Sequence, residues 1–164
     1  MKSPNIHFTQ IPSPIGQLTL VASPRGLMAI YMEEHTKPAG DRSLWKEDPS
    51  RFTEVKKQLN SYFAGTLRKF DIPLDLIGTP FQKSAWKALL KIPYGETRSY
   101  AQQAALCDNP RAIRAIGTAN GRNPVSIIVP CHRVIGKDGS LTGYGGGIER
   151  KRFLLELESK NQPT

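Results

Sequence analysis

Val125-Ser126-Ile127-Ile128-Val129-Pro130-Cys131-His132-Arg133-Val134-Ile135 is the stretch from which the rest of the chain can be organised. The residues before the proline are mostly apolar and β-branched, which predicts a short buried strand. Pro130 has no N–H to donate to a ladder, so the strand should end there and present Cys131, His132 and Arg133 at its tip. Val134-Ile135 and a Lys137-Asp138-Gly139 turn lead on to Thr142-Gly143-Tyr144-Gly145-Gly146-Gly147, a glycine-rich loop. A closing helix is expected from Glu149 to about Glu158, with Phe153, Leu154 and Leu157 inward.

Upstream, Thr79-Pro80-Phe81-Gln82 combines an N-cap threonine, a proline at the first helical position and a glutamine three residues after the cap. A helix should therefore start there and run to about Lys91, burying Phe81, Ala85, Trp86 and Leu89. Ser99 can cap a short helix through Leu106, and Asn109-Pro110 a second one ending before Gly121. Two short helices joined by a tight turn make either a helix-turn-helix or a pair of packed core helices. The second carries Ala112, Ala115, Gly117, Thr118 and Ala119, which leave little to reach across a wide groove but let the backbone approach a surface closely.

The first half reads differently. Gln17–Ala22 and Leu27–Met32 are strand-like runs joined by Ser23-Pro24-Arg25-Gly26, a β-hairpin pattern. From Glu33 to Ser50, with His35, Lys37, Pro38 and Gly40, apolar residues are sparse and a loop is expected. Phe52, Val55, Leu59, Tyr62 and Phe63 recur at helical spacing before Gly65, and residues 70–78 look like a strand fragment and connector. The expected class is α/β (α+β), with an N-terminal α/β subdomain at 1–78 and a mostly helical one at 79–164.

With 164 residues, 38% of them apolar and 23% charged, the chain fits one domain or two small subdomains and excludes a large multidomain machine. Its formal charge is +9. Residues 1–78 hold ten basic and eight acidic side chains and residues 79–164 thirteen and six, so a polyanion should meet the second half. No signal peptide or membrane-spanning run is evident, and two cysteines, Cys107 and Cys131, are too few for a disulfide scaffold. A soluble protein of the reducing cytoplasm is the simple reading.

Cys131 is either a small buried hydrophobe or a nucleophile. Free cysteine has a pKa of about 8.5, so a nucleophilic role needs a base or a positive field close by. His132 is the obvious base. Neighbours in an extended strand point to opposite faces, so a bend or a bridging water is required between them. Glu158, beside the inward Leu157, is the best-placed acid to orient the imidazole.

Asn123-Pro124-Val125, the run Ile127 to Ile135 around Pro130-Cys131-His132-Arg133-Val134, then Tyr144 and Gly146-Gly147 strongly resemble the methylated-DNA:protein-cysteine methyltransferases. The likeness extends from Gly78-Thr79-Pro80-Phe81 to Glu158. The N-terminal half is similar only loosely, as a ribonuclease H-like sheet. The resemblance implies direct repair of O6-alkylguanine, and of O4-alkylthymine, in double-stranded DNA after base flipping. Cys131 would be the alkyl acceptor, His132 its base through a water, Glu158 the orienting acid, and Asn123 the brace of this chain and its turn. Tyr100 would contact phosphate and flipped base and protonate the departing guanine. Arg114 would enter the stack where the base was, and Tyr144, Gly145, Val134 and Pro130 would form the pocket.

With those roles in place, Arg111, Arg122, Lys87 and Lys91 are expected to attract phosphates, while Ala115, Gly117 and Ala119 let the second helix approach the minor groove. The product is a thioether with no easy way back, so Cys131 should be spent after one event. No cofactor and no metal are expected, since the cysteines of the zinc site found in some relatives are lacking, and a monomer is the default. Gly145 stands where some relatives place a hydroxyl, which implies a wider pocket. Cys107 matches no family position and reads as packing. The competing readings are a lesion-binding protein that accepts no alkyl group, a plain helix-turn-helix regulator and a thiol hydrolase. The first would typically replace Cys131, the second needs base-reading side chains, and the third needs turnover.

Overall fold

Residues 5–33 and 42–161 are described by the computed structural model, in which the chain divides into two compact units, Met1–Leu76 and Ile77–Thr164. The part of the expected loop that falls on 34–41 lies outside the described residues.

The first unit is a four-stranded sheet with one helix. β1 (His7–Ile11), β2 (Leu18–Ser23), β3 (Gly26–Met32) and β4 (Lys46–Glu47) lie in the order β3-β2-β1-β4. β2 pairs antiparallel with both neighbours, and β1 pairs parallel with β4. The hairpin is where its turn residues placed it. Two strands were not legible. β1 turns His7 and Thr9 inward beside Ile11, so its buried face lacks an apolar signature. β4 has both residues exposed and is held only by its pairing, so the expected loop is in part a strand, flanked by 3₁₀ turns at Arg42–Leu44 and Pro49–Phe52. α1 (Thr53–Phe63) buries Val55, Leu59 and Tyr62 behind Phe52.

Residues 70–78 form no strand beyond one bridge, Leu27 to Leu74. That segment is fastened at Gly26. Leu27 N donates to Pro73 O at 2.9 Å, Asp75 N donates to Leu27 O at 2.8 Å, and a Cβ on Gly26 would stand 2.6 Å from Pro73 O. Gly26 also has a φ of +157°.

The second unit is helical. α2 (Pro80–Leu89) starts with the expected capping box, Thr79 Oγ1 accepting from Gln82 N and Gln82 Oε1 from Thr79 N. α3 (Tyr100–Leu106) repeats the device with Ser99 and Gln102. α4 (Ile113–Gly121) begins later than expected. Asn109 belongs to the end of α3: Asp108 takes a positive φ of 57° and Asn109 N donates back to Ala104 O at 3.0 Å. Ala85, Ala104, Ile116 and Ala119 form the core between these helices. A buried amide pair locks it, Gln103 Nε2 to Asn120 Oδ1 at 2.8 Å and Asn120 Nδ2 to Gln103 Oε1 at 2.7 Å, and Trp86 Nε1 donates to Ala119 O at 2.9 Å.

Three expectations fail here. Residues 125–129 are not a strand but a buried turn, with Ile127 at a φ of +77° and Val129 N donating to Val125 O at 2.9 Å. An apolar run records burial, not extension. Phe153 is 37% exposed, and the buried face of α5 (Ile148–Lys160) consists of Lys151, Leu154 and Glu158. Ala119 faces the core at 2% exposure and offers no surface to a groove. β5 (Arg98–Ser99) and β6 (Val134–Ile135) pair in parallel beside the 3₁₀ turn Cys131–Arg133. No described helix is long and apolar enough to cross a membrane.

Gly26→Ala should destabilise the protein by about 1–3 kcal/mol, because the methyl group and the Pro73 carbonyl cannot share that space. Urea unfolding measures it, and an unchanged midpoint would refute the role given to this contact.

Candidate active site

The site grows from the 3₁₀ turn Cys131–Arg133, all three residues of which are buried. Asn123 makes the turn before it possible. Its Oδ1 accepts from Val125 N at 3.0 Å and its Nδ2 donates to Val129 O at 2.7 Å, supplying the hydrogen bonds a strand ladder would have given. The tight turn replaces the extended backbone on which opposite-facing Cys131 and His132 were expected.

Glu158 is the hub. Its Oε2 meets His132 Nε2 at 2.6 Å and accepts from Arg133 Nη2 at 3.0 Å, while its Oε1 accepts from Arg133 Nε at 2.8 Å and Gly95 N at 3.2 Å. Arg133 Nη1 donates to Ile92 O at 2.7 Å. Burial alone would raise the Glu158 carboxyl, but the hydrogen bonds and charges of His132 and Arg133 hold it well below the usual carboxylate range. An ionised carboxylate only accepts, so the Nε2 facing it carries a hydrogen and Nδ1 is the basic nitrogen. His132 Nδ1 is buried with no protein partner. Burial also holds the imidazole below its ordinary pKa, against the upward pull of Glu158, and so keeps it neutral.

Burial pushes the Cys131 thiol up, and the nearby Asn123 amide and Lys151 ammonium pull it back in part. Lys151 is 1% exposed, and its Nζ donates to Val134 O at 2.6 Å and Thr142 O at 2.8 Å. Burial lowers its pKa, and Cys131 acts in the opposite sense. Tyr100 is half-buried, and its hydroxyl donates to the same Thr142 carbonyl at 3.1 Å. Tyr144, Val134 and Pro130 are buried near this sequence, and Gly145 is exposed. Burial and the neighbouring Cys131 hold the Tyr144 phenol well above its ordinary range.

On α4 and its flanks, Arg111, Arg114, Ala115 and Arg122 are exposed, and no described carboxylate pairs with these arginines. Gly117 is half-buried, and a Cβ there would meet the Tyr100 ring at 3.9 Å. Lys87 on α2 and Lys91 in the turn after it are exposed and line a groove with the end of α3, separate from the groove between α2 and α4 that Arg111 and Arg114 line. Cys107 packs against the Ala85 core cluster, its Sγ 3.6 Å from Ser84 O. Sequence reading missed Arg133 and Lys151. A lysine three residues before an apolar position looks solvated, and only its place seven residues before Glu158 hints at a shared buried face.

Comparison with known proteins gives consistent matches over both units. Residues 80–160 match the family model "6-O-methylguanine DNA methyltransferase, DNA binding domain", and residues 6–76 its "ribonuclease-like domain". A methylated-DNA–protein-cysteine methyltransferase of Mycobacterium bovis is 56% identical over 97% of this chain and 96% of its own length. The solved O6-methylguanine methyltransferase of Mycobacterium tuberculosis superposes with a TM-score of 0.89 at 55% identity, covering 97% of this chain and 96% of that one. A Mycobacterium tuberculosis OGT in complex with DNA gives 0.88 at 56% identity, covering 96% of each chain.

Because the carboxyl of Glu158 is depressed in the fold, its stabilising contribution is complete above the ordinary glutamate pKa of about 4.3 and is lost as pH falls further. Glu158→Gln should cost about 3–5 kcal/mol at neutral pH by stranding Arg133, and should flatten the acid limb of a stability–pH curve. Urea titrations at a series of pH values measure both, and a parallel acid limb in the variant would refute the assignment.

Proposed function

The chain belongs to the 6-O-methylguanine DNA methyltransferase family, and we propose that its repair chemistry runs through Cys131, with His132, Glu158, Asn123 and Tyr100 around it. The protein repairs DNA by moving an alkyl group from O6 of guanine to a cysteine, one event per molecule. The observation that carries the residue assignment is the buried thiol beside a histidine whose Nε2 is engaged by an ionised carboxylate and whose Nδ1 is left to accept.

A duplex base must leave the stack before a protein atom reaches its O6 substituent, at a cost of a few kcal/mol. Arg114 fills the gap, and Ala115 and Gly117 allow the minor groove to lie close. Arg111 and Arg122 hold phosphates without reading sequence. In the pocket of Tyr144, Gly145, Val134 and Pro130, the thiol proton passes through a water to His132 Nδ1. The sulfur attacks the alkyl carbon in line, a C–S bond forms, and the C–O6 bond breaks with its electrons going to guanine. The Tyr100 hydroxyl protonates the departing base and recovers its proton from solvent. The Lys151 ammonium favours the thiolate and Glu158 the imidazolium, so both charges formed by the proton transfer are compensated. Two free cysteines support placing this reaction in the reducing cytoplasm, where the acceptor stays a thiol. The presence of Cys131 favours transfer over lesion binding alone.

With duplex DNA carrying O6-methylguanine, intact mass should rise by one CH₂ on the peptide containing Cys131, and not at all in Cys131→Ser. An unmodified wild-type protein would overturn the assignment. Single-turnover rates should stay level as pH drops through about 6.5, the ordinary histidine value, and fall only below it, because burial depresses His132. Arg114→Ala should slow transfer about tenfold or more at limiting protein, from the loss of about 1–3 kcal/mol of stacking. Arg111→Ala should instead reduce the salt slope of binding by about one.

A further inference from the structure

α2 has two unlike faces. Ala85, Trp86 and Leu89 are buried, with Trp86 bonded to α4. At 3.6 residues per turn, Lys83 and Lys87 fall on the opposite side, about 6 Å apart along the axis, and Lys91 stands in the turn that follows the helix. All three are exposed, and no described carboxylate pairs with them. They rim a groove floored by Pro80, Ser84 and Ala88 that runs to Leu106, Cys107 and Asp108 at the end of α3. Asp108 is the one acid among its described lining residues. Three ammonium groups in a row repel one another unless an anion lies along them.

We propose that this lysine ridge is a second, sequence-independent binding surface for duplex DNA, so that one molecule holds a second DNA segment while α4 engages the lesion-bearing one. The clause about α4 rests on the function proposed above; the ridge itself does not. Point charges set along one groove suit an array of phosphates and read no bases. A protein partner would need an aromatic or large apolar centre to the contact, and among the described lining residues Leu106 is the one large apolar side chain and none is aromatic. The ridge and α4 line separate grooves, which leaves the ridge open to a segment other than the one on α4.

The test loads the protein onto a short bead-bound duplex carrying O6-methylguanine and measures capture of a fluorescent lesion-free duplex. Wild type should capture it with a log affinity falling against log salt at a slope of about −3 for three lysines. Lys83→Glu/Lys87→Glu/Lys91→Glu should lose capture at least tenfold, with the single-turnover transfer rate on an isolated short duplex unchanged. The neutral Lys→Gln triple variant at the same positions should lose capture too, and circular dichroism checks that both variants are folded. Equal capture by the variants overturns the proposal. So does an equal loss of transfer rate, which would place the ridge on the first duplex, or capture of labelled poly-glutamate in place of DNA, which would make it a protein-docking surface. Should wild type transfer no alkyl group yet still capture the second duplex, the function proposed above fails and the ridge stands.

Discussion

A carboxylate taken out of water must have every lone pair answered, and in this protein Glu158 is answered by an imidazole, a guanidinium and a backbone amide. Those donors come from two places in the second unit, the turn Cys131–Arg133 and Gly95 in the segment after α2, and the carboxylate itself sits on α5. The same ion pair that sets the tautomer of His132 therefore also fastens α5 to the rest of that unit. Such a pair is weak evidence for extra stability, since its desolvation offsets much of its attraction. What it supplies is one orientation of the imidazole, and with it a buried, basic Nδ1.

Burial acts on the neighbouring groups in a single direction. It disfavours every charged form, so the resting pair at Cys131 and His132 is neutral. Lys151 lowers the thiol's pKa and Glu158 raises the imidazole's, so each opposes burial at its own neighbour. The Thr142 carbonyl takes both Lys151 and Tyr100, which ties α5 to the start of α3.

Capping boxes at Thr79 and Ser99, the hairpin turn at Ser23–Gly26 and the helical spacing of Phe52, Val55, Leu59 and Tyr62 could all be read from the chain, because each depends on neighbours a few residues apart. β1 and β4 could not. One carries polar residues on its buried face, and the other exists only through its partner. The 125–129 run was misread because burial and extension leave the same apolar trace, and Ala119 because a small residue suits a core as well as a groove.

Local order alone determined where α2 and α3 begin, that a free thiol follows a proline at Pro130-Cys131, and which half of the chain carries the positive charge. Only the tertiary structure decided that Arg133 and Lys151 turn inward and that Glu158 meets His132 across 26 positions of sequence. A charged side chain is buried only when a distant partner compensates it, and no pattern of near neighbours records that partner.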